Sequence, residues 1–88
     1  MSTDVTAPGS VRVLLFASYA ELVGRDSIEL SVAPGTTVGA LVARVRAMAG
    51  GGALPPRPLC ALNLAHVGPD TPVASGDELA ILPPLAGG

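Results

Sequence analysis

GDELAILPPLAGG, residues Gly76 to Gly88, places a turn, a strand, a stop and a thread in succession. Ser75, Gly76 and Asp77 are turn formers. ELAILP, Glu78 to Pro83, has the length and apolar alternation of a strand. Pro83 and Pro84 end it, because proline offers no N–H to a sheet ladder and favours extended backbone that leads away from the body. Leu85 can anchor the segment in an apolar groove, and Ala86 is too small to obstruct one. Gly87 and Gly88 have no Cβ, so they take backbone angles closed to other residues and let neighbouring groups approach the last carbonyl closely. A loose, featureless terminus is the plain alternative. A chance end, however, is not expected to follow a strand through two prolines, and the pattern suits a carboxylate threaded into another protein's narrow pocket.

Working outward from that strand, VRVLLFA, Val11 to Ala17, reads as a first strand with Val11, Val13, Leu15 and Ala17 on one face and Arg12, Leu14 and Phe16 on the other. A short helical turn, SYAELVG, stops at Gly24, and SIELSV, Ser27 to Val32, returns as an antiparallel partner. Pro34-Gly35 is a turn, and Thr36 or Thr37 caps a helix whose apolar residues Val38, Leu41, Val42, Val45 and Met48 or Ala49 fall at helical spacing. Gly50, Gly51 and Gly52 end that helix, and Pro55, Pro56 and Pro58 make an extended link. Leu59 to Asn63 is the third strand, with a short one around His66-Val67. The order predicts an α+β fold: a mixed sheet with one main helix packed on one face. Residues 1–10 are expected as a leader, 11–82 as the single domain and 83–88 as an extended tail. One helix covers one face only. If the first and last strands are neighbours, Leu14, Phe16, Ala80 and Leu82 form an exposed apolar strip, which suits a partner site better than scattered surface hydrophobes would.

Composition narrows the possible functions. With 88 residues, 49% hydrophobic and 14% charged, the chain can build one apolar core. Val, Leu, Ile and Ala must fill it, since Phe16 and Tyr19 are the only large rings. The net charge is −2 and the five basic residues, Arg12, Arg25, Arg44, Arg46 and Arg57, are scattered, so the footprint of nucleic-acid binding is missing. One cysteine makes no internal disulfide and no multi-cysteine zinc site. No apolar run is long enough to span a membrane and MSTDVTAPGS does not read as a signal peptide, which makes the cytoplasm the expected location.

The other conspicuous residues read structurally. Cys60 sits inside a strand among leucine and alanine, where a buried, inert thiol is expected. His66 has no companions at ligand spacing and reads as a surface or partner-contact residue, so no metal site is expected. Asp77 and Glu78 serve the turn, with a carboxylate there able to face a basic partner. Pro34-Gly35 lacks the lysine of a phosphate loop, and Gly50 to Gly52 lacks the pattern of a dinucleotide site.

VRVLLFASYAELVG, PGTTVGALVARV, LCALN and above all GDELAILPPLAGG resemble the small, sulfur-carrying subunits of molybdopterin synthases, a β-grasp (ubiquitin-like) family. The resemblance runs from about Val11 to Gly88. It departs in the leader, in the Gly- and Pro-rich link, and in Ile81-Leu82, where the family often carries aromatics. It implies that a ubiquitin-activating-like adenylyltransferase uses ATP to adenylate the Gly88 carboxylate and that a sulfur-donor protein converts it to a thiocarboxylate. It implies delivery, as part of a 2:2 heterotetramer, to the large subunit of molybdopterin synthase, which holds the catalytic pocket and acts on cyclic pyranopterin monophosphate. Gly88 and Gly87 are then the reactive end, and Leu14, Phe16, His66, Leu82, Pro83, Pro84, Leu85 and Ala86 the partner contacts, with no tightly bound cofactor. Carriers for thiamine or cysteine synthesis share the Gly-Gly chemistry, and a ubiquitin-like binding module with an inert tail is a third reading.

Overall fold

The computed structural model describes residues 9–48 and 50–84. In chain order these form β1 (Gly9–Leu15), α1 (Ala17–Val23), β2 (Ser27–Val32), α2 (Val38–Arg46), a 3-10 turn (Gly51–Ala53), β3 (Leu59–Leu62), β4 (Ala65–Val67) and β5 (Glu78–Leu82). The five strands make one mixed sheet in the order β2-β1-β5-β3-β4. β1 and β5 run parallel at its centre, and the other pairings are antiparallel.

Local chemistry explains the turns. After β2, the Thr36 N–H donates to the Ala33 carbonyl (3.1 Å) with Gly35 at φ 89, the left-handed angle that the third position of a Pro-Gly turn requires. Thr37 caps α2: its Oγ1 accepts from the Ala40 N–H at 3.2 Å. Arg44 and Arg46 in the last turn suit the negative end of the helix dipole. α2 then lays Val38, Leu41, Val42 and Val45 on Val11, Val13, Leu15, Ile28, Leu30, Leu79 and Ile81, all buried, and Tyr19 of α1 closes one end. Burying such side chains contributes roughly 1.5–3 kcal/mol each.

Several boundaries differ from those expected. β1 begins at Gly9, so Gly9 and Ser10 belong to the sheet and not to a leader. It ends at Leu15: Phe16 is still extended (φ −120), but Ala17 turns the chain at φ 50 and starts α1, so Ala17 is exposed and does not extend the core face. α2 stops at Arg46, before Met48, because Gly50 at φ 82 and a Gly51 N–H bond to the Met48 carbonyl (2.8 Å) reverse the chain at once. The link to β3 is no plain connector, since the 3-10 turn delivers Leu54 fully into the core.

Candidate functional site

The parallel pairing of β1 with β5 organises the site. Leu14 lies beside Ala80 and Arg12 beside Glu78, so both strands end at the same edge of the sheet. There β1 turns through Phe16 into α1, and β5 hands over to half-buried Pro83 and exposed Pro84. β3 runs antiparallel on the other side of β5, setting Leu59 opposite Leu82 and Ala61 opposite Ala80. β4 adds His66 opposite Ala61, and β2 adds Ser27 opposite Leu14.

Successive strand side chains alternate between faces. With Val11, Val13, Leu15, Cys60, Leu79 and Ile81 committed to the α2 side, the open side carries Leu14, Phe16, Leu59, Ala61, Ala80 and Leu82. Phe16 is 44% and Leu59 45% exposed, while Leu14, Ala80 and Leu82 are half-buried. A depression of about 480 Å³ borders the strip, lined by Arg12, Leu14, Phe16, Ala17, Ala20 and Ser27 among others. A contiguous apolar surface at the point where a proline-stiffened segment leaves the sheet is the geometry of a docking face.

The expected contacts Leu14, Phe16, His66, Leu82, Pro83 and Pro84 therefore fall on this face or at its exit. The expected contacts Leu85 and Ala86, and the expected reactive end, Gly87 and Gly88, lie outside the described residues. Leu59 and Ala61 were not anticipated. Their alternation with Cys60 was visible, but nothing local says that β3 lies next to β5.

Asp77 serves the turn. Its Oδ2 accepts from the Ala74 N–H (2.8 Å) and its Oδ1 from the Asn63 Nδ2 (3.0 Å), while the Asn63 Oδ1 accepts from the Glu78 N–H (3.0 Å). The Asn63 bond first, then the Ala74 N–H, hold the Asp77 carboxyl below the ordinary aspartate range. Cys60 is buried, and desolvation pushes its thiol up. Among the described residues no three His, Cys, Asp or Glu side chains gather to hold a metal ion, and no helix is long and apolar enough to cross a membrane.

Residues 13–88 match the family model described as the ThiS family. The chain belongs to the ThiS family. It is 40% identical over 81 residues to the molybdopterin synthase sulfur carrier subunit of Escherichia coli (strain K12), covering 89% of this chain and 99% of that relative. This ThiS-family chain also superposes on SAMP1 from Haloferax volcanii with a TM-score of 0.77 at 28% identity, covering 91% of this chain and 100% of the other. In a complex of subunits 1 and 2 of molybdopterin-converting factor from Helicobacter pylori, the matching chain has a TM-score of 0.67 at 22% identity, covering 90% of this chain and 99% of its own length. The fold is the ubiquitin-like β-grasp, a mixed sheet with the main helix on one face.

Proposed function

We propose that this chain is a sulfur carrier for molybdopterin synthesis, loaded at the Gly88 carboxylate and unloaded inside the large subunit of the synthase. The observation that carries the reading is the apolar strip Leu14, Phe16, Leu59, Ala80 and Leu82 lying where Pro83 and Pro84 leave the sheet, in a chain 40% identical to a molybdopterin synthase sulfur carrier. A body held by that strip has its last strand ending at the partner's surface, and Pro83 and Pro84 offer no N–H with which to continue the sheet ladder. The tail itself supplies reach and slenderness in place of acid–base groups.

The chemistry follows from what a carboxylate lacks. Carboxylate oxygen is a poor leaving group, so an activating enzyme first joins the Gly88 carboxylate to AMP from ATP, releasing pyrophosphate. The terminal sulfur of a donor persulfide then attacks the acyl carbon and AMP departs. A second thiol cleaves the resulting acyl disulfide, leaving a thiocarboxylate on the carrier and a disulfide on the donor. In the large subunit the thiocarboxylate sulfur displaces an oxygen substituent from a carbon of the pterin precursor, and hydrolysis of the thioester so formed leaves the sulfur on that carbon and returns the carboxylate. Each carrier brings one sulfur, so a dithiolene needs two loadings. The buried free Cys60 takes no part and suits a reducing compartment such as the cytoplasm. A chain lacking Gly88 tests the reading: it should melt at the unchanged temperature and still bind the large subunit, yet accept no sulfur. Undiminished product formation by that truncated chain would refute the reading.

A further inference from the structure

The open face continues past its apolar strip. One step back along the strands, the row holding Ser27, Leu14, Ala80, Ala61 and His66 gives way to a charged row, with Arg12 directly between Glu29 on β2 and Glu78 on β5. Asp77 adjoins it, and Ser10, Arg12, Glu29, Gly76, Asp77 and Glu78 line a depression of about 320 Å³. Ser10 Oγ donates to Glu29 Oε2 at 3.1 Å, and the Asn63 and Ala74 bonds keep Asp77 ionised. Three carboxylates against one guanidinium leave two negative charges at this end, and the chain's other four carboxylates and four arginines cancel. That local excess equals the formal net charge of the chain and lies beside the apolar strip, at the end away from Pro83, while a single carboxylate, Asp26, lines the depression next to Phe16.

We infer that the partner protein seated on this face carries arginine or lysine side chains beside its apolar patch, placed over the Glu29, Asp77 and Glu78 end. The inference rests on the reading of the open face as the seat of the large subunit. An apolar strip gives attraction without direction, whereas a charged margin at one end favours a single orientation, and only one orientation points the tail into the partner's pocket. The alanines Ala80 and Ala61 lie low between the Phe16, Leu59 and Leu82 end and the acidic end, so one continuous partner surface can reach both.

The test measures affinity of the full chain for the purified large subunit by calorimetry at low and high salt. Glu29→Gln and Glu78→Gln should each weaken binding roughly two- to fivefold at low salt and flatten its salt dependence. Arg12→Gln should act in the opposite direction, tightening binding by a similar factor, an outcome that damage to the fold would not produce. Melting temperatures of the three variants check that the sheet is intact. Shifts under twofold, or weakening by all three, would overturn the inference, as would sedimentation showing that a second copy of this chain covers the face. Phe16→Asp separates the two levels: if it abolishes binding while the charge variants do nothing, only the inference falls, and if it too leaves affinity unchanged, the seat itself is wrong.

Discussion

Gly51 is held to glycine by space. A Cβ there would stand 1.9 Å from the Val45 carbonyl oxygen, and one on Gly50 would stand 1.9 Å from that of Leu22. The glycines that read in sequence as a helix stop thus also let the turn pack against the ends of α1 and α2. Replacing Gly51 with alanine should cost about 2–3 kcal/mol, seen as a fall of more than about ten degrees in melting temperature. Leu64 presents the reverse case. Asn63 and Leu64, at φ 50 and 75, join β3 to β4 with the paired positive angles of a type I′ hairpin, and Leu64 is 95% exposed. A leucine gains nothing there, so Leu64→Gly should raise stability by about 1 kcal/mol, or about 4–8 °C, in the same melting assay.

At the scale of elements, the join between β3 and β5 depends on Asn63 and Asp77. Asn63 bonds the Asp77 carboxylate and, through backbone and side chain, both polar backbone groups of Glu78. Because the Asp77 carboxyl lies below its ordinary value in the folded chain, the unfolded chain binds the proton first as pH falls. Its stabilisation is therefore complete above the ordinary aspartate pKa and drains away as pH drops below it toward the folded value. Melting curves recorded through acid should show wild type losing stability more steeply than Asp77→Asn below about pH 4. Parallel slopes would remove Asp77 from the account. Strands and main helix were legible because each carries its own period and its own turn residues. Asn63 reads as the end of a strand, and Leu54 and Val73 belong to no periodic segment, because their roles come from residues outside their own stretch: Val73 N–H bonds the Thr36 carbonyl, and the Leu54 carbonyl accepts from Arg46 Nε. Strand order is of the same kind, so Leu14, Phe16 and Leu82 were recognisable as a strip only on condition that β1 met β5, and Leu59 was missed.

For the whole molecule, the sheet separates two tasks. One face is spent on stability, with α2 and Tyr19 completing a core of branched aliphatic side chains, and the other is left open, the face the proposed function gives to the large subunit. Phe16→Asp should therefore weaken large-subunit binding by at least tenfold while moving the melting temperature little, because Phe16 is 44% exposed and lies outside the core. The apolar strip and Pro83 share one edge of the sheet, so under the proposed function docking and delivery are one act. The most direct measurement is the intact mass of the chain after incubation with a competent activating enzyme, ATP and a sulfur donor, repeated after adding the large subunit and the pterin precursor. A gain equal to exchanging one oxygen for sulfur, lost again only when both later components are present, is the predicted result. A mass that never changes with an enzyme shown to load a related carrier would contradict the sulfur-carrier account.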